Sequence, residues 1–134
     1  MQNNKLSFAI FPRVSTEKQA ERGNSLEVQI NGMQEAINRY GSKIIAKYGG
    51  QEHATPAFEH TKLEQLINDS FLPFEERGWN AVMFYDPTRF SRHNYKSIEY
   101  IEKLKMNKII VAFLKQKQKK QKNNKIIFAF LKKQ

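Results

Sequence analysis

The chain has 134 residues, enough for one domain with a core but not for two. It has no cysteine, which excludes a disulfide framework and a thiolate metal site, and no apolar run approaches the roughly 18 residues of a membrane span. The net charge of +10 is unevenly placed: residues 1–107 carry 14 Lys+Arg against 13 Asp+Glu, whereas residues 108–134 carry 9 Lys and no acid. The basic character, and any inference toward nucleic acid, therefore sits in the C-terminal stretch rather than in the body of the domain. The apolar stretch at the N-terminus is too short for a signal peptide, so the expected location is the cytoplasm.

Residues 6–11 (LSFAIF) read as a first, buried strand. A polar loop over 16–23 follows, then Asn24 or Ser25 as a helix cap with Glu27 in the first turn. Leu26, Ile30, Met33, Ile37 and Tyr40 recur at spacings of four and three, which predicts an amphipathic helix ended by Gly41. Residues 43–48 (KIIAKY) are a second strand, and Gly49-Gly50 opens a loop that runs to His60. A short helix over 61–68 faces Leu63, Leu66 and Ile67 inward, and 70–79 is irregular around a proline. Residues 81–86 (AVMFYD) form a third strand and 87–93 a loop. A helix over 95–106 turns Ile98, Ile101 and Leu104 to one face, and 109–113 (IIVAF) is a fourth strand. Strand and helix alternate throughout. That is the pattern of an α/β domain with a mostly parallel central sheet flanked by helices.

The C-terminal stretch has a different character. Residues 108–115 (KIIVAFLK) and 125–132 (KIIFAFLK) match at seven of eight positions, 17 residues apart, and the low-complexity spacer QKQKKQKNN lies between them. The first copy reads as a strand. The second is an apolar segment with no evident partner. The expected division is a domain over 1–107, with a strand reaching 113, and a lysine-rich tail over 114–134. Three readings of the tail stay open: a DNA-binding arm, a solvated tail without a partner, or sequence read in a shifted frame.

Arg13-Val14-Ser15-Thr16, directly after the first strand, carries the sharpest chemical signal. In extended backbone residues 13 and 15 point the same way, so a hydroxyl nucleophile stands beside a guanidinium able to hold phosphate oxygens. Arg89 and Arg92 follow the third strand. Ligands of open α/β sheets bind beyond the carboxyl ends of the strands, where both segments fall. His53, His60 and His93 lack metal-ligand spacing and read as solvated loop histidines.

These segments, AIFPRVSTEKQ (9–19), RGNSLEVQ (22–29) and YDPTRFSR (85–92), resemble the catalytic domain of the serine recombinases, the resolvase/invertase family, over roughly residues 5–107. The resemblance implies a resolvase-like three-layer domain. It also implies site-specific cleavage and rejoining of DNA through a 5′-phosphoserine intermediate. Ser15 matches the nucleophile and Arg13 the arginine two residues before it. Gln19 matches a glutamine that organises the loop, and Arg89 and Arg92 match the two arginines of the later motif. No metal, nucleotide or other cofactor is implied. The implied partners are double-stranded DNA and further copies of the chain in a dimer and a tetrameric synapse, which places the protein at the nucleoid. The sequence departs from the family pattern at Thr88, where an aspartate precedes the arginine, at His60, where an arginine is expected, and at Phe11 and Pro12. The family's long dimerising helix and DNA-binding domain are not recognisable after Asn107. A second expectation therefore stands beside the first: a truncated, catalytically inactive relic, or a weak non-specific DNA-binding module acting through its basic tail.

Overall fold

The computed structural model describes residues 6–12, 26–50, 56–85, 95–115 and 125–128. In chain order the elements are β1 (Ser7–Phe11), α1 (Leu26–Tyr40), β2 (Lys43–Lys47), α2 (Pro56–Asp69), α3 (Phe74–Arg77), β3 (Ala81–Phe84), α4 (Tyr95–Met106), β4 (Ile110–Lys115) and β5 (Lys125–Phe128). They build one five-stranded sheet in the order β2-β1-β3-β4-β5. β1, β2, β3 and β4 are mutually parallel, and β5 runs antiparallel to β4.

β1 and β3 are buried along nearly their whole length, because each has a strand on both edges and helices over both faces. Phe8, Ile10, Ala81, Met83, Ala112 and Leu114 point to one face and pack with Met33, Ala36 and Ile37 of α1. Ala9, Phe11, Val82, Phe84, Val111 and Phe113 point to the other and pack with Leu66 and Ile67 of α2 and Tyr100 and Leu104 of α4. The β1-to-β2 connection thus lies on one face and the two later ones on the other. Crossovers of a single hand require this once the chain reverses its direction of travel across the sheet.

β2 contains a correction to simple alternation. Phe8 pairs with Ile44 but Ala9 with Ala46, so Ile45 is an inserted bulge residue. Ile44 packs on the α1 side and Ala46 on the α2 side, two faces that residues two apart share only when a bulge intervenes. Lys43 and Lys47 bracket this edge strand and discourage pairing with a further chain.

Side chains tie the connections down. The Ser7 N–H donates to Asn80 Oδ1 at 2.7 Å, and the Asn80 backbone bonds both Ser7 and Ile110, so one residue joins β1, β3 and β4 at their starts. Buried Ser70 donates its hydroxyl to the Ile67 carbonyl at 2.5 Å and accepts from Asn107 Nδ2 at 3.0 Å, joining the ends of α2 and α4. Arg77 donates through Nε to the Trp79 carbonyl at 2.7 Å and through Nη1 to the Leu72 carbonyl, with its guanidinium 5.6 Å from the Trp79 ring centroid. Burial lowers its pKa from the ordinary guanidinium value.

The sequence expectations differ from the structure at several places. α2 begins at Pro56, inside the expected loop; proline suits the first helical position because its missing N–H has no partner there in any case. Residues 74–77 form a short helix that ends at Gly78, whose φ of 82° and N–H bond to the Phe74 carbonyl make a left-handed cap. Tyr40 and Ile98, both expected to face inward, are exposed. Ile98 lies two residues before buried Tyr100, roughly 200° around the helix. The second repeat copy, expected to lack a partner, pairs with the first: Ala112 faces Phe128, Phe113 faces Ile127, and Leu114 faces Ile126.

Candidate active site

The sheet order marks where a candidate site would lie. From β1 the chain moves to one side to make β2, then crosses to the other side of β1 to make β3. The carboxyl ends of β1 and β3 therefore flank the point where strand order reverses, which opens a crevice in sheets of this kind. The two strands are parallel and paired out to Phe11↔Phe84, so they end level with one another. β4 continues the row through Phe84↔Phe113.

An aromatic ladder supports this edge. The rings of Phe11 and Phe84 have centroids 5.9 Å apart, as do those of Phe84 and Phe113. All three are buried. Pro12, the next residue of the chain, is fully buried too, and Tyr85 packs toward the α1 side. The segments that leave β1 and β3 thus start from packed, fixed points.

Arg13, Ser15, Gln19, Arg89 and Arg92 all lie outside the described residues, as do Asp86 and Thr88. The structure describes instead where the segments that carry them are anchored. Residues 13–25 run from Pro12 to Leu26, and residues 86–94 from Tyr85 to Tyr95.

His60 is described, and it is a helical residue rather than the loop residue expected. It lies one turn into α2, exposed, with Nε2 3.2 Å from Glu64 Oε2. The Tyr100 hydroxyl donates to the same carboxylate oxygen at 3.0 Å. Burial, then this bond and the nearby carboxylates, push the Tyr100 pKa up to about 12. His53 and His93 lie outside the described residues; among the described residues no three His, Cys, Asp or Glu side chains cluster as metal ligands.

Gly49-Gly50, expected from the sequence only to open a loop, does more than turn the chain. Both glycines have positive φ, 69° and 74°, and a Cβ on either would crowd the end of β1, at Phe11 or at Pro12. The preceding Tyr48 donates its N–H to the Ile10 carbonyl at 2.9 Å, sets its ring against Trp79, and donates its hydroxyl to Asp69 Oδ2 at 2.6 Å. Burial, then the Asp69 bond, raise the Tyr48 pKa far above the usual phenol value. Two adjacent glycines directly after a strand were the available signal.

The model of the resolvase N-terminal domain family matches residues 8–133. The chain belongs to that family. The match runs past Asn107, where the sequence resemblance had ended. A candidate DNA recombinase of Bacillus subtilis (strain 168) is 31% identical over 108 residues, 80% of this chain. The chain spans about a fifth of that relative, the match covering 20% of it. Among solved structures, the N-terminal catalytic domain of TP901-1 integrase superposes with a TM-score of 0.57 at 29% identity, covering 78% of this chain and 75% of that one. A resolvase family site-specific recombinase from Streptococcus pneumoniae gives 0.61 at 21% identity, over 80% and 70% of the two chains, and agrees in fold. This resolvase-family domain thus has the expected α/β architecture with a mostly parallel sheet. Among its described residues no helix is long and apolar enough to cross a membrane.

Proposed function

We propose that this chain is the catalytic part of a site-specific DNA recombinase that cleaves and rejoins DNA through a 5′-phosphoserine link at Ser15. The observation that carries the reading is the family match together with the level ends of β1 and β3 at the switch point. Ser15 is four residues past Phe11, Arg89 five past Phe84 and Arg92 eight past it. At roughly 3.5 Å per extended residue these tethers are long enough to converge over one crevice.

The Ser15 hydroxyl attacks a backbone phosphodiester. A phosphoserine ester forms, the 3′ oxygen leaves as a hydroxyl after protonation, and the reverse attack by a 3′ hydroxyl restores the serine. The bond energy is kept in the ester. Arg13, Arg89 and Arg92 balance the charge that gathers on the phosphoryl oxygens, a task suited to planar, permanently charged donors. Gln19 orders the loop. The partners are double-stranded DNA and further copies of the chain, as family membership implies. The lysines of 116–124 add phosphate contacts that weaken steeply with salt.

Covalent trapping tests the reading. Nicked suicide duplexes from a randomised pool are expected to give an SDS-stable protein–DNA adduct with the wild-type chain and none with Ser15→Ala. An adduct that survives Ser15→Ala would refute the assignment.

A further inference from the structure

Gly50 lies beside both residues that flank the segment carrying Arg13, Ser15 and Gln19. A Cβ on Gly50 would lie 2.8 Å from Cγ of Pro12, just before that segment, and 3.5 Å from Cδ1 of Leu26, just after it. A Cβ on Gly49 would meet the Phe11 ring at 3.2 Å. The turn cannot simply drift away, because Tyr48 holds it to Ile10 of β1 and to Asp69 of α2. Nor can Pro12 swing aside as a long flexible side chain would: it is fully buried and its ring is closed on its own backbone. A side chain at position 50 therefore crowds Pro12, one residue from Arg13 and three from Ser15.

Two other glycines show what a turn alone requires. Gly41 has φ of 94° with nothing within 4 Å of its Cβ position, and Gly78 has φ of 82° with only Ile45 Cγ2 at 3.4 Å. They share the backbone conformation of Gly50 without its close approach.

We propose that Gly50 is a positioning residue for Ser15: lacking a side chain, it lets Pro12 close on the turn after β2 and so fixes the point from which the segment carrying Ser15 departs. This role rests on the reading of Ser15 as nucleophile. A displacement near 1 Å at a reacting group costs on the order of a hundred-fold in rate.

The test compares Gly50→Ala with Gly41→Ala and Gly78→Ala in the full chain. All three place a Cβ at positive φ, and Gly50→Ala alone adds the overlap with Pro12. Amide NMR spectra are expected to show shifted Arg13, Ser15 and Gln19 resonances in Gly50→Ala alone. The rate of adduct formation on the nicked pool is expected to fall roughly ten- to a hundred-fold in Gly50→Ala and to stay near wild type in the other two. Pro12→Ala combined with Gly50→Ala removes the overlapping Cγ, and is expected to recover stability and most of the rate, a non-additive rescue. The rescue is readable even if Gly50→Ala alone fails to fold. Unmoved resonances in Gly50→Ala, equal shifts in Gly41→Ala, or strictly additive effects in the double variant would overturn the proposal. A wild-type chain that forms no adduct would remove the nucleophile reading, while the spectra would still decide whether Gly50 holds the loop.

Discussion

Phe84 sits in the middle of the aromatic ladder beneath the candidate site, and its replacement tests whether that ladder anchors the sheet edge. Its ring is 3% exposed and stands 5.9 Å from both Phe11 and Phe113. Truncating a buried phenylalanine to alanine costs about 3–5 kcal/mol. Each aromatic pair contributes roughly 0.5–1.5 kcal/mol beyond its buried area. Phe84→Ala loses both pairs and leaves a cavity between two rings, so the upper end of that range, about 5 kcal/mol, is expected. A domain of this size is stable by only about 5–15 kcal/mol, so that variant stands near unfolding. Phe84→Leu is the more informative change: it keeps most of the volume but loses the two ring pairs, about 1–3 kcal/mol in total. Urea unfolding followed by fluorescence reads this directly, because Trp79 is the single tryptophan and is 1% exposed. With a slope of about 1–3 kcal/mol per molar urea, the midpoint should fall by on the order of 1 M. An unchanged midpoint in Phe84→Leu would refute the ladder as a source of stability.

Asn80→Ala removes the acceptor of the Ser7 N–H and should cost about 1–3 kcal/mol in the same urea assay; a loss no larger than that of an exposed-site control would contradict the three-strand anchor. Lys108 has φ of 63° in the turn from α4 to β4, so Lys108→Gly should relieve a left-handed strain of about 1 kcal/mol and raise the melting temperature, whereas Lys108→Val should lower it. The Tyr100 pKa is raised from its ordinary value of 10 to about 12, so the folded state holds that proton more tightly than the unfolded state. Its contribution is complete below pH 10 and lost as pH rises toward 12, and Tyr100→Phe should flatten stability against pH in that window; an unchanged slope would contradict the assignment.

Much of the fold was legible because β1 and β3 are continuous apolar runs and because buried Met33 and Ile37 of α1 keep helical spacing. The faces were less legible. Tyr40 and Ile98 are apolar at plausible positions, yet tertiary packing turned Gln29 and Tyr100 inward instead. The bulge at Ile45 was hidden because only the identity of its partner strand determines which residue is extra. The pairing of β5 with β4 was hidden for the same reason: a repeat announces similarity, not contact. For the site, RVST and RFSR point to the ends of β1 and β3, and their residues lie outside the described ones. The supporting turn at Gly49-Gly50 was not legible, since its role depends on contacts with Phe11, Pro12 and Leu26 that are distant in sequence.

As the proposed nucleophile, Ser15 becomes covalently joined to a DNA 5′ phosphate. Mass spectrometry of the trapped adduct, after nuclease and protease digestion, tests it most directly. The expected product is a nucleotide phosphoester on the peptide that contains Ser15. A phosphoester on any other residue would contradict it.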